Sequence, residues 1–132
     1  MTILLDTNAL LWAQSDSPRL PQHWRDIISD PAQPIWVSSV SLAEIAVKMS
    51  IGKLTIPSSA PASLAEVAER LGCDDLPFLA KHAERLRTLP LLHRDPFDRM
   101  IIAQALVEDV AVMTSDRRFA AYGVRLVPTH ES

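Results

Sequence analysis

The chain has 132 residues, of which 48% are hydrophobic and 22% are charged, and its formal net charge is −3. This length suits one domain with a real hydrophobic core and is too short for two. The composition excludes a disordered chain, and the acidic balance excludes a protein that coats nucleic acid by electrostatics alone. A nuclease that carries a few local cations is still compatible with this charge.

The apolar runs and the cysteine content exclude further classes of protein. No segment has the uninterrupted apolar run that a membrane span requires, and the amino-terminal residues reach Asp6 after only three apolar positions. We therefore expect no signal peptide, no membrane segment and a cytoplasmic location. Cys73 is the single cysteine, which excludes a disulfide framework and a Cys-based zinc site.

The first half of the chain predicts two strands, each followed by a helix. An apolar run over residues 3–5 ends at Asp6, and Asn8 can cap a helix that begins at Ala9. A short helix is predicted over residues 23–29, between prolines. A second strand over residues 35–37 then leads into a strongly apolar, mostly buried helix over 41–48, which Gly52 and Lys53 close.

The second half predicts more helices and two further strands. Residues 57–61 are rich in proline and serine and predict a loop. Apolar spacing predicts helices near 64–71 and 79–86, which we expect to form a helical hairpin. A nearly all-apolar helix follows over 100–107, with strands over 111–114 and 124–127. The order of strands and helices predicts one α/β domain over residues 1–132, with a central parallel sheet of four to five strands flanked by helices and a helical hairpin insertion.

Four carboxylates stand where an apolar segment meets a turn or a helix start: Asp6, Glu44, Asp98 and Asp116. Right-handed crossovers place the carboxyl ends of parallel strands at one edge of the sheet, where ligands bind. The segment before Asp98 is not a clear strand, so its placement is the least defined. Carboxylates that share a small volume repel one another, and a bound divalent cation such as Mg²⁺ or Mn²⁺ relieves that repulsion. The set therefore indicates metal-assisted phosphoryl transfer or hydrolysis.

Three of these acids also have purely structural interpretations. Ser41 and Glu44 match the spacing of a capping box, and Glu44 could pair with Lys48 one turn later. Asp98 lies in the first turn of a helix that Asp95 can cap. Asp116 could start a turn and be neutralised by the neighbouring arginines. Asp6 is harder to explain structurally, because Asn8 is available as the cap.

The remaining polar and aromatic residues show no second chemical pattern. The histidines are scattered without metal-ligand spacing, so each is assigned a surface or packing role. The tryptophans fit core-facing positions. No glycine-rich phosphate loop or nucleophile elbow occurs. The histidines are His23, His82, His93 and His130, and the tryptophans are Trp12, Trp24 and Trp36.

Four segments in this order resemble the PIN-domain ribonucleases, and within them the VapC-like toxins of bacterial type II toxin–antitoxin systems. They are Leu4-Leu5-Asp6-Thr7-Asn8, Ser41-Leu42-Ala43-Glu44-Ile45, the run from His93 to Ala103, and Thr114-Ser115-Asp116. The resemblance covers essentially the whole chain. It implies a PIN-like fold and a metal-dependent endoribonuclease that hydrolyses RNA phosphodiester bonds with metal-activated water.

The resemblance also implies roles and partners. It assigns Mg²⁺ or Mn²⁺ binding to Asp6, Glu44, Asp98 and Asp116, and accessory polar roles to Thr7, Asn8 and Ser115. Asp95 is interpreted first as a helix cap and second as a residue behind the ligands. An RNA substrate, a homodimer and a small antitoxin that blocks the site are expected. Cations near the acids could hold the RNA backbone: Arg94, Arg99, Arg117, Arg118 and Lys53, with Lys48 more simply balancing a carboxylate.

Two alternatives remain. An aspartate-dependent phosphohydrolase also opens with a strand that ends in Asp, but it requires a second acid two residues later, where this chain has Asn8. A catalytically degenerate PIN-like binding module would keep the fold and only hold a partner. The intact set of four acids favours the nuclease over both.

Overall fold

The computed structural model describes residues 1–55 and 63–131, and its centre is one parallel sheet. The four strands lie in the order β3-β2-β1-β4, and each pair of neighbours is parallel. The predicted central parallel sheet is therefore confirmed. The strands are β1 (Ile3–Leu5), β2 (Ile35–Ser38), β3 (Asp74–Leu76) and β4 (Ala111–Met113).

Helices flank this sheet. Two short 3₁₀ helices, Leu64–Glu66 and Arg117–Tyr122, lie before α4 and after β4. Within the described ranges, no helix is both long and apolar enough to span a bilayer. The helices are α1 (Thr7–Gln14), α2 (Gln22–Ser29), α3 (Ser39–Ser50), α4 (Val67–Arg70), α5 (Ala80–Thr88) and α6 (Pro96–Glu108).

The two faces of the sheet are buried in separate hydrophobic clusters, because successive strand side chains point to opposite sides. Ile3 and Leu5 of β1 belong to one cluster, whereas Leu4 belongs to the other. Residues of α1, α2 and α4 cover the first face, with Trp24 fully buried among them. Residues of α5 and α6 cover the second face. The sheet is thus the middle layer of a three-layer α/β domain.

The predicted helical hairpin is wrong. The strand β3 lies between α4 and α5, and it pairs with β2. The two helices also contribute to different clusters, since Val67 packs on the first face and Leu86 on the second. The sequence pattern does not predict β3, because the strand contains two aspartates and acids are rare in strands. Their exposed side chains suit an edge strand, where charge discourages pairing with another chain.

Two other predicted elements differ from the structure. The last strand is reduced to a single parallel bridge between Val112 and Leu126, held by the backbone hydrogen bond from Val127 to Val112 at 3.0 Å. The predicted helix over 41–48 is less buried than expected, because Ala43, Ala46 and Val47 are exposed, Val47 to 44%. The predicted loop over 57–61 lies outside the described residues.

Candidate metal centre

Asp6 lies immediately after β1 and caps helix α1. Its Oδ1 accepts a hydrogen bond from the backbone N–H of Ala9 at 2.7 Å, and its side chain is buried. The prediction that Asn8 caps this helix is therefore wrong; Asn8 is an exposed residue of the first turn. The cap places the Asp6 carboxylate at the carboxyl edge of the sheet, next to the positive end of the α1 dipole.

Glu44 lies in the second turn of α3 and does not belong to a capping box. Ser38 caps that helix by accepting from the N–H of Val40 at 3.0 Å, so Ser41 lies inside the helix. Glu44 is buried, and its Oε1 accepts a hydrogen bond from Thr7 Oγ1 at 2.7 Å. Its Oε2 pairs with Lys48 Nζ at 2.5 Å, as the sequence suggested. Thr7 thus links the start of α1 to the acid of α3.

His93 joins the other two acids. Its Nε2 lies 3.1 Å from Asp98 Oδ2 and 3.0 Å from Asp116 Oδ2. Asp98 lies in the first turn of α6, which Asp95 caps as predicted by accepting from the N–H groups of Phe97 and Asp98. One ligand atom from each of His93, Asp98 and Asp116 lies within 4.8 Å of the others.

Asp116 has the strongest ionic contact of the four acids. It caps the 3₁₀ helix after β4, and Arg118 holds both of its carboxylate oxygens at 2.8–3.2 Å. Arg118 is the largest cause that lowers the pKa of Asp116, to about 2. Thr114 links this acid to the first, because its Oγ1 accepts from the N–H of Asp116 at 3.0 Å and its hydroxyl lowers the pKa of Asp6.

Asp6 and Asp98 are the acids that the protein leaves least neutralised. Burial is the largest cause that raises the pKa of Asp6 to about 6, and the charges of Glu44 and Asp116 raise it further. Burial also leads the causes that raise the pKa of Asp98 to about 7, followed by the charges of Asp95, Asp6 and Glu44. Asp6 and Asp98 therefore lie close enough to the other acids for their charges to interact.

The donor set suits a hard divalent cation. Carboxylate oxygens dominate it, and such oxygens are the ligands that Mg²⁺ and Mn²⁺ prefer. A cation would also remove the repulsion that raises the pKa values of Asp6 and Asp98. On this ground Asp6, Glu44, Asp98 and Asp116 fit the role of metal-holding residues.

The predicted cations fall into different groups. The side chain of Arg99 is engaged within the protein. Its Nη1 donates to the carbonyl of Pro90 at 2.9 Å and lies 3.1 Å from the Tyr122 hydroxyl. Lys53 lies beyond the carboxyl end of α3, whereas Glu44 lies in the second turn of that helix. Arg94 and Arg117 are exposed and lie next in sequence to His93 and Asp116, as does Ser115.

His93 is the site residue that the sequence interpretation missed. It was grouped with scattered histidines and given a surface or packing role, whereas it is almost fully buried between two of the acids. The available signal was its place two residues before the helix cap Asp95 and five before Asp98. The side chain of a histidine that lies shortly before a helix can contact an acid in the first turn of that helix.

The fold and the site define a three-layer α/β protein with an acidic, oxygen-rich centre at the carboxyl edge of its parallel sheet. The family model of the PIN domain matches residues 3–124. The chain therefore belongs to the PIN-domain family, and the predicted resemblance is confirmed. No curated protein shows significant sequence similarity to the chain.

Solved structures share this fold at low sequence identity. A VapBC2 structure from Rickettsia felis, bound to a DNA fragment from its promoter, aligns with a TM-score of 0.68 at 19% identity, covering 96% of this chain and 98% of the other. DNA-bound VapBC from Salmonella typhimurium gives 0.67 at 18%, covering 98% and 99%. FitAcB from Neisseria gonorrhoeae gives 0.62 at 23%, covering 96% and 97%.

The raised pKa values predict how the stability of the metal-free protein depends on pH. The folded pKa values of Asp6, about 6, and Asp98, about 7, exceed the value of 3.8 for an unperturbed aspartate. Between pH 4 and 7 the folded state therefore binds more protons than the unfolded state, so its free energy of unfolding falls as pH rises. In EDTA, we expect the melting temperature to decrease from pH 5 to pH 8. Asp98→Asn should show a smaller decrease, and Mg²⁺ should restore stability at pH 8.

Asp109→Asn is the matched control for this experiment. Asp109 lies at the opposite end of α6, and its side chain is 85% exposed. This variant should lose as much stability between pH 5 and pH 8 as the parent. If Asp98→Asn and the parent lost stability equally, the raised pKa of Asp98 would not be the cause.

Proposed function

We propose that this PIN-domain protein is a metal-dependent endoribonuclease and the toxin component of a type II toxin–antitoxin system. The observation that supports the nuclease proposal is the placement of the acids. Asp6 and Asp116 cap the helices that follow β1 and β4, and Asp98 lies within ligand distance of Asp116. The charges of Asp6 and Glu44 act on Asp98, and this carboxylate-rich donor set suits Mg²⁺ or Mn²⁺. A divalent cation bound there would lower the pKa of a coordinated water and offset the negative charge that develops on the phosphate. The proposed reaction is the hydrolysis of a phosphodiester bond in RNA.

The residues of the chain prepare this chemistry before the substrate arrives. The caps at Asp6 and Asp95 fix the backbone at two helix starts, so the carboxylates need little reorganisation. Thr7 orients Glu44 by a hydrogen bond. The Lys48 ammonium holds the second oxygen of the same carboxylate, and this hydrogen bond is the main cause that raises the pKa of Lys48. The acids therefore face one volume in defined orientations.

A cleft lined by residues on either side of Asp116 in the sequence offers a place for the RNA strand. Its volume is about 400 Å³, and its wall includes Thr114 and Ser115, which lie between β4 and Asp116. Arg117 also lines this cleft, is exposed, and forms no salt bridge within the described part of the chain. A guanidinium beside hydroxyl groups is suited to phosphate recognition. We propose that one nucleotide next to the scissile phosphate occupies this cleft.

The two alternatives predict different behaviour. An aspartate-dependent phosphohydrolase would use Asp6 as a nucleophile with an acid two residues later, but Asn8 is neutral and exposed. A degenerate binding module would have no need for two acids, Asp6 and Asp98, whose pKa values are raised by burial and by neighbouring carboxylates. Both alternatives require RNA cleavage to be absent, which the following experiment measures.

Asp6→Asn tests the metal centre without removing the helix cap. Asparagine caps helices as well as aspartate does, so we expect the variant to fold. The loss of one ligand charge should reduce RNA cleavage by about 100-fold or more. EDTA should abolish cleavage by the parent protein, and Mg²⁺ or Mn²⁺ should restore it. The measurement is the cleavage rate of a labelled RNA under single-turnover conditions, with circular dichroism as the folding control.

Asp109→Asn again supplies the matched control, because it makes the same chemical change at the far end of α6. Its cleavage rate should equal that of the parent. Cleavage by Asp6→Asn at the parental rate would contradict the metal-centre assignment. Full activity in EDTA would instead indicate a metal-free ribonuclease mechanism.

Arg117→Ala tests the proposed RNA cleft. Loss of a phosphate contact worth about 1.4 kcal/mol should raise KM about 10-fold and leave kcat nearly unchanged. It should also lower the dependence of RNA affinity on salt. Arg70→Ala is the control, since Arg70 is an exposed arginine that lines a different cleft, beyond the carboxyl end of α4. An equal effect of both variants on KM would contradict the cleft assignment.

The proposed partners are a cognate antitoxin and a second copy of the chain. Three of the solved structures with the same fold are VapBC and FitAcB assemblies, and a further one is a toxin–antitoxin complex from Klebsiella pneumoniae. Exposed apolar side chains on α3 and just after it, Val47, Met49 and Ile51, support binding of a protein partner. The antitoxin is expected to be encoded by a short neighbouring reading frame, and it would block cleavage when added.

The homodimer predicts the molar mass in solution. Light scattering coupled to size-exclusion chromatography should give twice the 14.6 kDa mass of the chain at micromolar concentration. Met49→Lys, which replaces one exposed apolar side chain of α3 with a charge, should lower that mass if Met49 lies in the dimer interface. A mass of one chain for the parent protein would contradict the homodimer.

A further inference from the structure

The imidazole of His93 has a single defined tautomer in this structure. Its Nδ1 lies 3.1 Å from the backbone nitrogen of Asp95, which can only donate. The Nδ1 atom therefore accepts that hydrogen bond and carries no proton. The one ring proton must reside on Nε2, the atom that faces Asp98 and Asp116 at 3.1 and 3.0 Å. The ring thus presents one N–H donor to two carboxylates.

The ring has little freedom to adopt another orientation. His93 is only 3% exposed, and its ring packs edge-on against Phe119 with the centroids 6.2 Å apart. The backbone N–H of His93 donates to the Tyr122 hydroxyl at 2.8 Å, and Arg99 Nη1 reaches the same hydroxyl at 3.1 Å. Backbone, ring face and Nδ1 are therefore each held by a separate contact.

We propose that His93 is a positioning residue, which holds Asp98 and Asp116 in register through one Nε2–H donor and is not itself a metal ligand. A nitrogen that carries a proton has no lone pair to offer a cation, whereas each carboxylate keeps further acceptor sites free. Hydrogen-bonded partners of this kind orient the carboxylate ligands of metal sites. This inference rests on the proposed function only in that Asp98 and Asp116 are taken to hold the metal.

Two substitutions separate the two ends of the imidazole. In His93→Gln, the side-chain amide nitrogen can occupy the place of Nε2 and still donate to the acids. In His93→Asn, the shorter amide can reproduce only the contact of Nδ1 with the backbone of Asp95. Both variants remain polar and can keep a hydrogen bond in the buried site, so loss of the contact with the acids is the main difference between them.

Isothermal titration with Mg²⁺ then measures the role of the shared donor. We expect His93→Gln to keep its Mg²⁺ dissociation constant within a few-fold of the parent and His93→Asn to weaken it by about 10-fold to 100-fold. A general packing role would impair both variants alike. Equal affinities for the parent, His93→Gln and His93→Asn, or an equal loss in both variants, would overturn the proposal.

Nitrogen-15 NMR of the unsubstituted protein provides a test that needs no variant to fold well. Long-range imidazole correlations distinguish the Nε2–H tautomer from the Nδ1–H tautomer and from the doubly protonated ring, and the His93 signals are those that His93→Gln lacks. We expect the Nε2–H tautomer with and without Mg²⁺. Any other protonation state, or loss of the Nε2 proton when Mg²⁺ is added, would overturn the proposal. These measurements do not use RNA, so absent cleavage would refute the proposed function and leave this inference intact.

Discussion

The mutual repulsion of carboxylates at one edge of the sheet is the constraint on which the rest of the site depends. The protein neutralises the charges of the four acids to different extents. Lys48 pairs with Glu44, and Arg118 holds both oxygens of Asp116. In residues 1–55 and 63–131, no salt bridge to Asp6 occurs, and Asp98 has no lysine or arginine partner, only the imidazole of His93. The two acids without a cation are those whose pKa values are raised, so the unneutralised charge is concentrated where a metal ion would be most useful.

Helix capping and metal binding are not competing explanations for these acids. Asp6 and Asp116 both follow strands and both cap the helix that comes next. A cap must stand at the start of a helix, and in this fold the helices after β1 and β4 begin at the carboxyl edge of the sheet. Capping therefore brings the carboxylates to the edge, and the helix dipoles offset part of their charge there. The same hydrogen bonds also keep the carboxylates oriented.

The sequence predicts those features that depend on local patterns. The strands β1, β2 and β4 are apolar runs that end at polar residues, and the cap at Asp95 has the local signature of a proline at the first helical position. Features that depend on tertiary contacts were missed. The strand β3 contains two aspartates and exists because β2 pairs with it. The role of His93 depends on two acids that are 5 and 23 residues away, and no spacing rule links the three.

Asp98 reaches the site although no strand precedes it, and the loop before α6 explains why. That loop cannot be held by sheet hydrogen bonds, so side chains fix it instead. Tyr122 accepts from the backbone of Leu92 and His93, and Arg99 anchors Tyr122 together with the carbonyl of Pro90. Arg99 belongs to α6 and Tyr122 to the 3₁₀ helix that Asp116 caps, so these contacts tie the loop to the elements that carry Asp98 and Asp116. Arg99, which the sequence predicts as an RNA contact, thus stabilises the loop before Asp98 instead. Under the proposed function, the cations available to bind RNA are the exposed ones, such as Arg117.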